Sequence, residues 1–292
     1  MSSGEATVLY DAPGPKARAR NMLYTFLASA ALLAVIGFIV FKLNDKGQFK
    51  GEIWAPFLVG ETWTEYLIPG LMGTLTAAAL AAVFALLFGS IFGLARLSDH
   101  RWIRVPAGIV VDVFRAIPLL LLIFFIWFLM PSLVGGGDFL LFALVAGLTL
   151  YNGSVLAEVV RAGVQAVPRG QAEAAYAIGL RKSGVMRRIL LPQALTAMMP
   201  AVVSQLVVLL KDTALGYIIT YVDLLNMGFK ILPSVHFGTK LVSALFIGVI
   251  YIGLNMLLSW FATWLEKRSR RSRKTSAKPL PKTLDLGNPL GG

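Results

Sequence analysis

Six stretches of this chain are long and apolar enough to cross a lipid bilayer, and that pattern leaves few folds open. A spanning helix needs about 20 mostly apolar residues. Such runs occupy Met22 to Phe41, Ile68 to Leu97, Ile109 to Met130, Phe139 to Val160, Ile189 to Leu210 and Leu241 to Leu265. Inside lipid every backbone polar group needs a partner, which a helix supplies from within itself. The expected fold class is an all-α integral membrane protein with about six transmembrane helices. A further apolar stretch, Ala214 to Leu232, contains Gly216, Asp223 and Gly228 and is followed by Pro233. It is expected as a re-entrant or outer-surface segment, tolerable at membrane depth only when buried in protein.

Composition agrees, because 57% hydrophobic residues and 14% charged residues exclude an ordinary soluble domain. A net charge of +12 raises the question of nucleic acid, yet eight of the 27 basic residues lie between Lys267 and Lys282, beyond the last apolar run. No aromatic interleaving accompanies them, so nucleic acid is not expected as a partner. Anionic membrane lipid is the expected use of that tail. The absence of cysteine removes disulfides, thiol catalysis and thiolate metal sites, and His100 and His236 stand alone. No metal site is expected.

The first run follows Lys16, Arg18 and Arg20 but is too long for a typical signal-peptide core, and no small-residue cleavage site precedes Lys42. It is read as a retained accessory helix. With the N-terminus inside, the inner segments hold 20 Lys and Arg against six outside, leaving Arg115 uncounted. Both termini and the hydrophilic segment from Arg161 to Pro192 are thereby expected in the cytoplasm.

That segment carries Glu173-Ala174-Ala175, then Gly179, then Ile189-x-Leu191-Pro192. Glu173 to Ala177 suits a slim short helix, and Gly179 and Gly184 supply flexible ends. The spacing E-A-A-x3-G-x9-I-x-L-P resembles the cytoplasmic coupling loop of bacterial ABC-importer permeases. Further motifs resemble the polar amino acid family among them. They are Gly70-x2-Gly73-Thr74-Leu75, Phe114-Arg115-Ala116-Ile117-Pro118, Ala157-Glu158-x2-Arg161-Ala162-Gly163, Gly170-Gln171 before Glu173, and Leu210-Lys211-Asp212-Thr213-Ala214-Leu215. Together they span about residues 65 to 265, with an order and spacing that fit histidine, glutamine, arginine and glutamate importers. The extra N-terminal span and basic tail favour the glutamate branch. Ala116-Ile117 stands where the family commonly has Gly-Thr, and Ala214 where it often has serine. These departures touch specificity more than fold.

The resemblance implies a type I importer core of five helices plus one N-terminal accessory helix. The expected division is an N-tail at 1–21, the accessory helix at 22–42, an external loop at 43–66, the permease domain at 67–265 with its coupling loop at 161–192, and a disordered basic tail at 266–292. It further implies a second permease subunit, expected to differ from this one, a cytoplasmic ATPase dimer, an external binding protein and an amino acid substrate. This chain has no G-x4-G-K-[ST] loop, so ATP and Mg belong to the ATPase and the chain is not itself an enzyme. Glu173, Ala174, Ala175, Gly179, Ile189, Leu191 and Pro192 are the coupling residues the resemblance assigns. Glu173 is expected to meet a basic residue of the ATPase, while Ala174 and Ala175 permit close approach.

Ionisable groups at membrane depth usually face a partner or an aqueous path. Arg115, Glu158, Lys211, Asp212 and Asp223 qualify, with Pro118 and Thr213 beside them in their motifs. Arg115 or Lys211 is a candidate for binding an amino acid carboxylate, and Glu158 or Asp212 for attracting the ammonium. Two cations would suit glutamate, which has two carboxylates. The plainer readings stand alongside: Arg115 reaching the headgroups, Glu158 pairing with Arg161 on one helical face, and Lys211 and Asp212 closing a helix end. Gly89 and Gly93 form a G-x3-G pair suited to close helix packing. The alternatives are a permease for glutamine, arginine or histidine, or a self-contained secondary transporter; the coupling loop argues against the latter.

Overall fold

The computed structural model describes residues 14–234 and 240–274. His236 and the proline-bearing tail beyond Lys274 lie outside the described residues. All regular structure among the described residues is helical, and the chain divides into two units, 1–58 and 59–292.

In the first unit, α1 (Pro15–Asp45) starts on a proline, whose missing N–H is no loss in a first helical turn. At 31 residues it is about 46 Å long, so it overruns the expected span at both ends. Lys16, Arg18 and Arg20, expected in the N-tail, ride on the helix. Short helical turns at Gly51–Trp54 and Ala55–Leu58 follow, and Trp54 Nε1 donates to the Gln48 carbonyl at 2.9 Å. The segment expected as an external loop is thus largely helical.

The second unit holds α2 (Ile68–Ala95), α3 (Arg101–Ala116), α4 (Leu119–Val134), α5 (Leu140–Gln165), α6 (Arg169–Ala177), α7 (Leu191–Asp212) and α8 (Lys240–Lys274). The hub is α5, which packs on α2, α3, α4 and α7. Its tightest neighbour is α2, whose residues Ala77, Ala81, Ala85, Gly89 and Gly93 recur every fourth position and are all buried. In lipid, such a slim stripe lets backbones approach and gain dispersion contacts. A Cβ on Gly93 would stand 2.7 Å from Val160 Cβ and 2.8 Å from the Ala157 carbonyl oxygen. The G-x3-G pair therefore serves packing, as its spacing suggests.

The run from Ile109 to Met130, expected as one span, is broken. Ile117 adopts an extended backbone (φ −83°, ψ 127°) ahead of Pro118, because a proline ring disfavours helical geometry in the residue before it. As a result α3 and α4 meet at 101°. Among the described residues five helices are long and apolar enough to span, or six if this bent pair counts as one.

Between α7 and α8 the segment after Asp212 folds back into the protein. Gly216, Ile219, Asp223, Leu224, Met227 and Leu232 are buried, as a re-entrant segment requires. It docks on the first turns of α2 through the Gly70–Thr74 motif. Tyr221 donates its hydroxyl to the Gly73 carbonyl at 3.1 Å. Thr74 Oγ1 donates to the Gly70 carbonyl and accepts from Leu224 N–H, both at 3.1 Å. Asp223 caps the turn Leu224–Asn226, accepting from Asn226 N–H at 2.6 Å, which gives this buried acid a structural role. The backbone of α8 stays helical to Lys274, so the irregular tail expected from Glu266 does not begin there.

Candidate functional site

The segment carrying Glu173, Ala174 and Ala175 is a short helix, α6, bounded at both ends. The chain turns into it at Pro168, and it closes at Gly179, whose φ of +83° is a backbone conformation costly for any residue with a Cβ. Gly179 N–H donates to the Tyr176 carbonyl at 2.9 Å and Leu180 N–H to that of Ala175 at 3.1 Å, a helix stop of the left-handed kind. Glu173, Ala174 and Ala177 are exposed. Ala175 points the other way and is buried, so it packs the loop against its own chain and is not available for close approach by a partner. Tyr176 and Ile178 are large, exposed and adjacent to that outer face; reading the sequence for charge and small residues passed over them.

Beyond Gly179, Lys182 pairs with Asp99 and donates to the Leu97 carbonyl at 3.2 Å. The segment after α6 is thereby clasped to the α2–α3 turn. The Lys182 ammonium holds the Asp99 carboxyl below the usual carboxylate range. Ile189, Leu191 and Pro192 are half-buried, and Leu190 and Leu191 pack on Val164, Val167 and Ala194. The first turn of α7 thus rests on the end of α5.

The ionisable candidates fall into two groups. In the first, Glu158 of α5 accepts from Arg161 Nε at 3.1 Å and pairs with Arg96 at 3.2 Å and Arg115 at 3.8 Å. Arg96 also meets Asp112 at 3.3 Å. Three guanidiniums face two carboxylates, so one positive charge is in excess. Glu158 is committed to arginines rather than open to an ammonium, whereas Arg115 has the longest of these contacts and is partly exposed. Pro118 begins α4 just past that arginine.

In the second group Lys211 is exposed at the end of α7 and Thr213 is buried. Thr213 Oγ1 donates to the Leu210 carbonyl at 2.7 Å, and Tyr251 of α8 donates to the same oxygen at 2.9 Å. Lys211, Tyr251, Asn255 and Ser259 line a cavity of about 620 Å³. Nothing in the sequence pointed to Tyr251, which lies inside an otherwise apolar run. Gln205 of α7 donates to Asn152 Oδ1 of α5 at 2.7 Å, a neutral polar pair inside the spans.

The two groups meet α5 at different levels. Gly216 packs on Leu144 in the first turns of α5, and Asp212 meets Asn152 near its middle. Glu158 follows Asn152 by six residues, about 9 Å of helix. Among the described residues no group of three or more His, Asp or Glu is placed to hold a metal ion.

A family model described as a binding-protein-dependent transport system inner membrane component matches residues 85–271, which include α6, the arginine cluster and the Lys211 turn. This chain belongs to that family. Within this inner membrane component family, it is 40% identical over 250 residues to the glutamate transport system permease protein GluD of Corynebacterium glutamicum, covering 84% of this chain and 90% of that protein. It is 30% identical over 211 residues to the glutamate/aspartate import permease protein GltK of Escherichia coli O157:H7, covering 70% and 93%. The crystal structure of an amino acid ABC transporter with histidines contains a chain that superposes with a TM-score of 0.65 at 29% identity, covering 71% of this chain and 95% of that one. The MetNI methionine ABC transporter, at 20% identity and a TM-score of 0.60, shares the fold. The chain is the permease component of an amino acid ABC importer.

Proposed function

We propose that this permease carries glutamate inward across a bacterial plasma membrane, with both of its own termini in the cytoplasm, and is driven by a cytoplasmic ATPase dimer that docks on α6. The reading of coupling rests on one observation, the exposed face of Glu173, Ala174 and Ala177 on a helix clasped to the rest of the permease. Glu173 offers a carboxylate to a basic residue of the ATPase, and the alanines let the two backbones approach. When the ATPases close on ATP, α6 is displaced. The Lys182–Asp99 clasp passes that movement to the α2–α3 turn, and the Leu191 contact with Val164 passes it to α5. Both routes use packed or hydrogen-bonded groups that move as rigid bodies.

A binding protein delivers the substrate at the Lys211 end, and a second, non-identical permease completes the path. Lys211 meets a substrate carboxylate there, and Asp212 draws the ammonium. The Gln205–Asn152 pair offers neutral hydrogen-bonding groups midway. Arg115, in a cluster with one positive charge in excess, receives the carboxylate at the cytoplasmic end. The two cations act one after the other along the path. Preference for glutamate is supported by the 40% identity with a protein named as a glutamate permease.

The test is ATP-dependent uptake of labelled glutamate, glutamine, arginine and histidine in competition, with the permease reconstituted beside its ATPase, partner permease and binding protein. Glutamate should win, and Lys211→Gln or Arg115→Gln should each reduce its uptake. Glu173→Ala should abolish ATP-driven uptake. A Glu173→Ala chain with full uptake would sink the coupling assignment. Preference for another amino acid would sink the glutamate assignment alone, and uptake without ATP would favour a secondary transporter.

A further inference from the structure

The amphipathic helix α3 has three faces. Ala107 and Val111 are buried against the protein. Trp102, Val105, Ile109 and Val113 form an exposed apolar stripe, with Trp102 at 91% exposure. Arg101, Arg104, Asp112 and Arg115 form a polar flank between the two. The 101° bend at Ile117–Pro118 sets α3 nearly perpendicular to α4. If α4 crosses the bilayer, α3 lies along its surface. A helix with a polar flank and an exposed apolar stripe in that orientation suits the boundary between headgroups and acyl chains.

At its first turn Arg101, Trp102, Val105 and Pro106 line a cleft of about 400 Å³. Arg101 makes no hydrogen bond or ion pair among the described residues. Among the described residues Arg104 donates to the Ser98 carbonyl at 3.4 Å and lies near the Asp99 carboxylate, which Lys182 already engages, leaving most of its donors open. Arg101 beside the exposed indole, with Arg104 one turn further along the polar flank, matches an anionic phospholipid: the arginines suit the phosphate, and an indole at headgroup level is amphipathic in the same sense.

We propose that α3 is an interfacial helix of the cytoplasmic leaflet and that Arg101, Arg104 and Trp102 bind the headgroup of an anionic phospholipid. The same helix ends at Arg115, so a lipid seated at its first turn bears on the position of the arginine nearest Glu158. The inference rests on the cytoplasmic placement of the Arg96–Arg104 segment proposed above.

The experiment uses the complete transporter in nanodiscs of phosphatidylcholine doped with brominated phosphatidylglycerol or, at equal dose, brominated phosphatidylcholine. The difference in fluorescence between the unaltered protein and Trp102→Phe isolates Trp102. Its quenching should be stronger with brominated phosphatidylglycerol. Arg101→Gln and Arg104→Gln should each reduce that excess about fivefold, while the ATPase still co-purifies. Equal quenching by both lipids, or an excess that survives the double substitution, overturns the proposal. So does a Trp102 quenched only by aqueous iodide, or shielded from lipid and iodide alike by a partner subunit. A separate arm tests topology. His100→Cys in this cysteine-free chain should resist a membrane-impermeant maleimide added outside intact cells. Labelling from outside would overturn the cytoplasmic placement even where the lipid contact holds.

Discussion

Lys182 and Asp99, 83 positions apart, form the ion pair that ties the coupling segment to the α2–α3 turn, with the Leu97 carbonyl as a second acceptor for the same ammonium. The pair is partly open to solvent, so its value to stability is small. Its value lies in direction, because it joins the one segment expected to touch the ATPase to a turn between two helices of the permease.

Substituting Lys182→Met should leave the transporter assembled and lower uptake per ATP hydrolysed several-fold, as measured by parallel transport and phosphate-release assays. The Asp99 carboxyl is held below its ordinary value. Its contribution is therefore present above the unfolded value and is lost only as pH falls through the lower folded one. Between pH 6 and 8 the ratio of Asp99→Asn to unaltered uptake should stay constant; a ratio that drifts in that window would count against the pair as the cause.

Gly93→Ala should destabilise the α2–α5 contact by about 1–3 kcal/mol, since the added methyl meets backbone and Val160 Cβ, neither of which can swing away. Thermal unfolding in detergent reads this directly. Adding Val160→Ala should recover part of the loss.

Glu158→Gln removes the anion shared by three arginines. With the glutamate side chain 26% exposed, water compensates in part, and the loss should be about 1–2 kcal/mol, below that of a fully buried pair. A lowered unfolding temperature with unchanged ATPase co-purification is the expected result. No change would mean that Arg161–Gln165 and Arg96–Asp112 suffice.

Tyr251→Phe deletes one of two donors on the Leu210 carbonyl and should cost about 0.5–1.5 kcal/mol. Thr213→Val deletes the other. Because both act on one oxygen, the double substitution should cost more than the two single ones added together. Measured additivity would separate Tyr251 from the Lys211 turn.

Much of the fold was legible before any coordinate. The apolar runs announced the helices, and the Gly89–Gly93 pair announced close packing of α2. The break at Pro118 was also readable, since proline constrains the residue before it, but the unbroken apolar run there favoured one span. At the coupling segment, spacing identified the helix and its glycine stop, whereas the inward direction of Ala175 did not follow from residue type. Asn152, Gln205 and Tyr251 went unnoticed because neutral polar residues inside apolar runs leave no compositional mark.

By itself the sequence determined the membrane class, the approximate span count and the short helix that ends at Gly179. Hydrophobicity and internal backbone hydrogen bonding act over a few turns of chain, so a local pattern is enough to specify them. Tertiary structure decided that Glu158 is shared among arginines, that Lys182 reaches Asp99, and that Gln205 of α7 meets Asn152 of α5. Each of those facts depends on which helix faces which. A charge chooses its partner by distance in space, and distance along the chain does not give it.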